Sequence, residues 1–146
     1  MDRTVNLQKQ PFTNTLHAIV LAFPVALYPS AWLADIAYYN TAVIQWTNFA
    51  SWLIAGADLF AGILLLFAVL GLFFGHARHA RGRGLLYLIV VAAMFVTGVV
   101  NAFHHARDGW HSVGMTGLVL SAVCTVLALI AAVIAYGSIE QREERP

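Results

Sequence analysis

Residues 16–35 read LHAIVLAFPVALYPSAWLAD, a stretch apolar enough to enter a bilayer that nevertheless carries His17, Pro24, Tyr28, Pro29 and Asp35. An α-helix turns about 100° per residue. The steps of 7, 11 and 18 residues from His17 to Pro24, Tyr28 and Asp35 are therefore close to whole numbers of turns. One face presents an imidazole, a proline, a phenol and a carboxylate, while Ile19, Leu21, Phe23, Leu27, Trp32 and Leu33 cover the rest. Polar groups facing hydrocarbon are costly, so that face is expected to point into protein or a wet cavity. The remainder of the chain is expected to pack against it.

The composition sets the class. Hydrophobic residues make up 60% of the 146 and charged residues only 10%, against about 45–50% and about 25% in soluble domains. The excess lies in four stretches, Leu16–Ala34, Phe49–Phe74, Leu85–Phe103 and Ser112–Tyr136. Each approaches or exceeds the roughly 20 residues a helix needs to span a bilayer. A soluble domain of this size has too small a core to hide them. The expected fold is an all-α integral membrane four-helix bundle at 14–137, with a polar lead at 1–13 and a polar tail at 138–146. Thr13 or Asn14 caps the first helix, and Pro24 and Pro29 are expected to kink it.

Orientation follows from Lys and Arg. Arg3, Lys9, Arg78, Arg81, Arg83, Arg142 and Arg145, seven of the eight basic residues, fall on one side if both termini are cytoplasmic. Only Arg107 falls on the other. The 36–48 segment is uncharged, and Tyr38, Tyr39 and Trp46 read as an aromatic belt at headgroup level. The polar N-terminus shows no cleavable signal peptide. A net charge of +1 offers nothing to a nucleic acid.

Within the spans, Asp58 stands about a third of the way into the second helix from the outer side, with Ser51, Gly62 and Leu65 on its face. An intramembrane carboxylate marks a functional site by default, although a bonded Asp that ties two helices together would look the same. Ala57, Ala61, Ala68, Gly71 and Gly75 give that helix a small surface for close packing. His76 and His79 sit among arginines in a loop that reads as a solvated turn, with lipid phosphate as a second reading. The third helix carries Tyr87, then Thr97, Asn101 and His104 near one face. His104, His105 and His111 form the densest set of ligand-type side chains, suited to transition metals or haem iron. Capping of the helix end is the plainer reading. In the fourth helix Gly114, Gly117, Ser121, Cys124, Ala128, Ala131 and Ala135 make a seam of small residues. The seam allows another backbone to approach closely, within the bundle or in a homo- or hetero-oligomer.

His17 with Phe23-Pro24, Asp35 at the helix end, the Gly- and Ala-rich second helix, Asn101, Arg107-Asp108 and Gly117-Leu118-Val119-Leu120-Ser121 together resemble a bacterial membrane family, domain of unknown function 2231. The resemblance spans roughly residues 15–136. It implies a compact four-helix domain in the bacterial inner membrane, found in some relatives beside cytochrome or Rieske-type modules, with no activity common to the family. The chain departs from that pattern at Ala18, where Pro is usual, and at Tyr87, where relatives often carry His.

Three readings of function stand. The first is a redox-linked subunit holding b-type haem, with His104, His105 and His111 at the outer face, Arg107 on a propionate and His17 as the rival ligand at the opposite face. The second is an accessory or assembly subunit docking redox or other membrane partners. The third is a proton or small-solute transporter using Asp58, Asp35 and His17, against which stands the lack of an inverted repeat. Tyr28 and Asn101 complete the intramembrane polar set. No Gly-x-Ser-x-Gly, CxxC, HExxH or phosphate loop is present, so no independent catalytic activity is expected. The topology is tested by cysteine labelling in whole cells. Ala80→Cys should be shielded and Asn40→Cys labelled, and the reverse would overturn the assignment of sides.

Overall fold

The structure, a computed structural model, describes residues 15–74, 81–106 and 113–137. These residues form four helices, α1 (Thr15–Thr41), α2 (Ile44–Phe74), α3 (Arg81–His105) and α4 (Met115–Tyr136). All four are long and apolar enough to cross a membrane. Each packs against the next in chain order, and α4 closes the ring against α1. Neighbours run antiparallel: Tyr136 at the end of α4 donates to the Ala18 carbonyl at the start of α1, 3.1 Å away. The described chain thus begins and ends at one end of the bundle, here the terminal end. The α1–α2 turn lies at the other, the turn end.

The helices overrun the apolar stretches. The aromatic 36–48 segment, which the hydropathy pattern leaves outside the first two apolar stretches, is almost wholly helical, and only Ala42 and Val43 separate α1 from α2. Hydropathy marks where hydrocarbon stops; the backbone ladder does not stop there. No glycine or proline breaks the segment, and Asn40 and Thr41 fold back on the Ile36 and Ala37 carbonyls at 2.9 and 2.6 Å. The reversal comes at Ala42, whose φ of 54° is the left-handed conformation that side chains other than glycine rarely adopt. Its N–H closes the end of α1 on the Tyr38 carbonyl at 2.8 Å. One consequence is that Asp58 stands at the middle of the 31-residue α2 rather than a third of the way in.

The helix ends shift elsewhere too. Helix α3 begins at Arg81, taking the last arginines of the basic loop into its first turn. Helix α4 begins at Met115 behind an extended Gly114, and the preceding residues 107–112 lie outside the described residues. Helix α1 runs unbroken through both prolines.

The core follows the sequence periods. Helix α1 buries Val20, Leu21, Pro24, Tyr28, Ala31, Ala34 and Asp35. Leu21 joins the polar face because four residues from His17 is again close to one turn. Helix α4 buries Gly117, Ser121, Cys124, Ala128, Ala131 and Ala135. The small-residue seam is thereby used inside the bundle, and Cys124 is a packing residue within it. Large side chains point outward, Trp52 being 80% and Phe103 73% exposed. Lipid is the natural cover for such a perimeter. No backbone contact joins α1 to α3 or α2 to α4 among the described residues. Whatever links opposite corners must be side chains.

Candidate functional site

Three polar contacts are strung along the buried face of α1. At the terminal end His17 Nε2 lies 2.8 Å from the Tyr87 hydroxyl of α3. The sequence marked both residues, and the fold brings them together across the diagonal. Near the middle, the Tyr28 hydroxyl donates to Asp58 Oδ1 at 2.5 Å. Asp58 is thus bonded inside the bundle, with Ser51, Gly62 and Leu65 half-buried beside the fully buried row Ile54, Ala57, Ala61 and Leu64.

The third contact, at the turn end, is the richest. Asp35 is 0% exposed. Its Oδ1 lies 2.9 Å from His105 Nε2, the single ion pair among the described residues. Its Oδ2 accepts from the Ser121 hydroxyl at 2.5 Å. Ser121 in turn accepts from the Asn101 side-chain amide at 2.9 Å, and His105 Nδ1 lies 3.0 Å from the Asn101 carbonyl. Four side chains from α1, α3 and α4 thus form one buried network. Asn101 Oδ1 in this network is buried with no hydrogen-bond partner among the described residues, as is Thr47 Oγ1 on α2.

The donors can be counted. A carbonyl only accepts, so His105 Nδ1 carries a hydrogen toward Asn101. The Ser121 hydroxyl hydrogen is committed to Oδ2. One proton therefore remains between His105 Nε2 and Asp35 Oδ1, whether it resides on nitrogen as an ion pair or on oxygen as a neutral pair. Remove it, and a ring lone pair must face either the carboxylate or the carbonyl. Hydrocarbon offers no water to relieve that repulsion.

The histidine cluster is divided by this arrangement. His105, not His104, continues the Asn101 face, because the buried row of α3 runs Tyr87, Val91, Met94, Gly98, Asn101, His105. His104 is half-buried on the α4 side, where a Cβ on Gly117 would come within 3.2 Å of its ring. The two rings lie 6.2 Å apart, edge to face. His111 and Arg107 lie outside the described residues, as do His76 and His79. Among the described residues no three His, Cys, Asp or Glu side chains are gathered as metal ligands.

Two participants escaped sequence reasoning. Ser121 was read only as a small residue, yet it is the one hydroxyl in that seam. Gly98 was not singled out at all, although the spacing of four and three along the α3 row passes through it. A Cβ there would collide with Asp58 Oδ1 and the Tyr28 hydroxyl, so only glycine lets α3 close over that bond.

The comparisons agree with this architecture. The family described as "Predicted membrane protein (DUF2231)" matches residues 13–138. No curated protein and no solved structure matches the chain. The chain belongs to the DUF2231 family of membrane proteins. Gly98 gives the sharpest test of the packing. Gly98→Ala should lower unfolding stability in micelles by about 1–3 kcal/mol, as overpacking does. Gly71→Ala, where a Cβ meets nothing within 4 Å, should leave stability unchanged or slightly raised. Equal effects at both sites would refute the close approach.

Proposed function

Within this membrane family, we propose that the protein serves a larger membrane assembly as a proton-responsive subunit, and that its working group is the Asp35–His105 pair. One observation carries the reading: Asp35 Oδ1 and His105 Nε2 lie 2.9 Å apart in a buried network that ties α1 to α3, two helices with no backbone contact. Ionisable residues inside membrane spans are rare and mark proton and ion chemistry. The groups facing the imidazole are Asp35 from α1, Asn101 and His104 from α3, and Ser121 from α4, with Thr47 of α2 buried at the same end. With the proton between His105 Nε2 and Asp35 Oδ1 gone, a ring lone pair faces either the Asp35 carboxylate or the Asn101 carbonyl, so one of the two His105 contacts is lost and the network loosens. A partner subunit at the turn end would read that loosening.

The same residues bear on the haem reading. Both nitrogens of His105 are engaged, so to ligate iron it would have to release Asp35 or the Asn101 carbonyl. A b-type haem held by His104, His105 and His111 is therefore the rival outcome of one experiment. Infrared difference spectra of the purified protein, stepped in pH, should show a carboxyl signal that vanishes in Asp35→Asn and is displaced in His105→Gln. Incubation with haem should leave no reduced-haem spectrum that depends on His105. A carboxyl signal indifferent to pH, or stoichiometric haem lost in His105→Ala, would overturn the proposal.

A further inference from the structure

At the terminal end, α3 and α4 part to leave an open groove of about 370 Å³. Gly82, Arg83 and Leu86 form one wall, and Val133, Ile134 and Gly137 the other. Its position, shape and charge agree on an occupant. The groove lies where two membrane-spanning helices end, so its mouth is at headgroup level and its floor continues into hydrocarbon. Below it the exposed side chains are apolar, with Ile89, Ile130 and Val133 all presented outward. Gly82 borders open space at this wall, since a Cβ there would meet nothing within 4 Å.

Arg83 brings a cation to the groove. In the sequence no acidic residue occurs between Asp58 and Asp108, whereas Glu140, Glu143 and Glu144 follow Gly137. The two carboxylates among the described residues, Asp35 and Asp58, are engaged with His105 and Ser121 and with Tyr28. A guanidinium at the membrane surface above an apolar slot matches a phosphate ester carrying an acyl chain. The volume lies within the range of small-molecule sites, about 300–1,000 Å³.

We propose that the α3–α4 groove is a binding site for one anionic phospholipid, with the phosphate on Arg83 and an acyl chain along Leu86, Val133 and Ile134. The arginine distribution assigns this end to the cytoplasmic leaflet, where anionic lipid attracts basic residues near the surface. The site stands apart from the Asp35–His105 network and does not depend on it.

The test is lipid retention by the full chain, purified from vesicles containing equal phosphatidylglycerol and phosphatidylcholine with identical acyl chains, and read by native mass spectrometry. Wild type should retain phosphatidylglycerol in preference. Arg83→Gln should reduce that preference about fivefold, the worth of one basic residue near an anionic surface, and Arg83→Lys should preserve most of it. Gly82→Leu, whose Cβ would start in open space at the groove wall, should lower retention of both lipids, and its circular dichroism should match wild type. Excess inorganic phosphate should not displace the lipid, because the acyl chain holds it. Equal retention of the two lipids by wild type, undiminished phosphatidylglycerol on Arg83→Gln, or displacement by phosphate alone would overturn the site.

Discussion

A carboxylate cannot lie unpartnered in hydrocarbon, and Asp35 is fully buried near one end of a membrane-spanning helix. The structure answers by bringing two donors to it from two other helices, Ser121 of α4 and His105 of α3. That requirement fixes more than one side chain. It sets the rotation of α1, because Tyr28 and Pro24 share its face. It sets the rotation of α3, because His105 cannot reach Asp35 unless Tyr87 and Gly98 also face inward. It also requires a hydroxyl within the small-residue seam of α4.

Hydrophobic burial cannot supply this specificity in a membrane, where lipid is as apolar as leucine. Small residues let the neighbouring helices come close, and the alanines of α2 and α4 belong to one shared core. Such surfaces would tolerate sliding by a turn. The polar contacts do not, since each needs one partner at one height. Opposite corners of the square are held by His17–Tyr87 at the terminal end and Asp35–His105 at the turn end. Single hydrogen bonds in membranes contribute on average about 0.6 kcal/mol, whereas an orphaned buried group costs several times that. The network therefore acts chiefly by penalising wrong registers.

The fold was legible because hydropathy and helical periodicity are strong signals over spans of this length. The face of α1 was legible for the same reason: three polar residues and a proline at near-integral turns leave one orientation. Helix boundaries were not, because the α1–α2 turn uses an alanine in the left-handed region rather than a glycine or proline. Partners were legible only as residue types. Asp58 could be read as a bonded carboxylate, but nothing in its neighbourhood names Tyr28, which is 30 residues away on another helix. The histidine cluster drew attention for its density, and density concealed the difference that matters. His105 belongs to the buried row and His104 does not. Gly98 carries no chemistry to catch the eye, and its role appears only when a Cβ is placed among its neighbours.

The central claim is that Asp35 and His105 are energetically one unit joining α1 to α3. A double-mutant cycle measures it directly, using Asp35→Ala, His105→Ala and the double variant unfolded in the same micelles. The account predicts a coupling of about 0.5–3 kcal/mol, the double variant being less destabilised than the sum of the singles. Additivity of the two substitutions to within about 0.3–0.5 kcal/mol would contradict it.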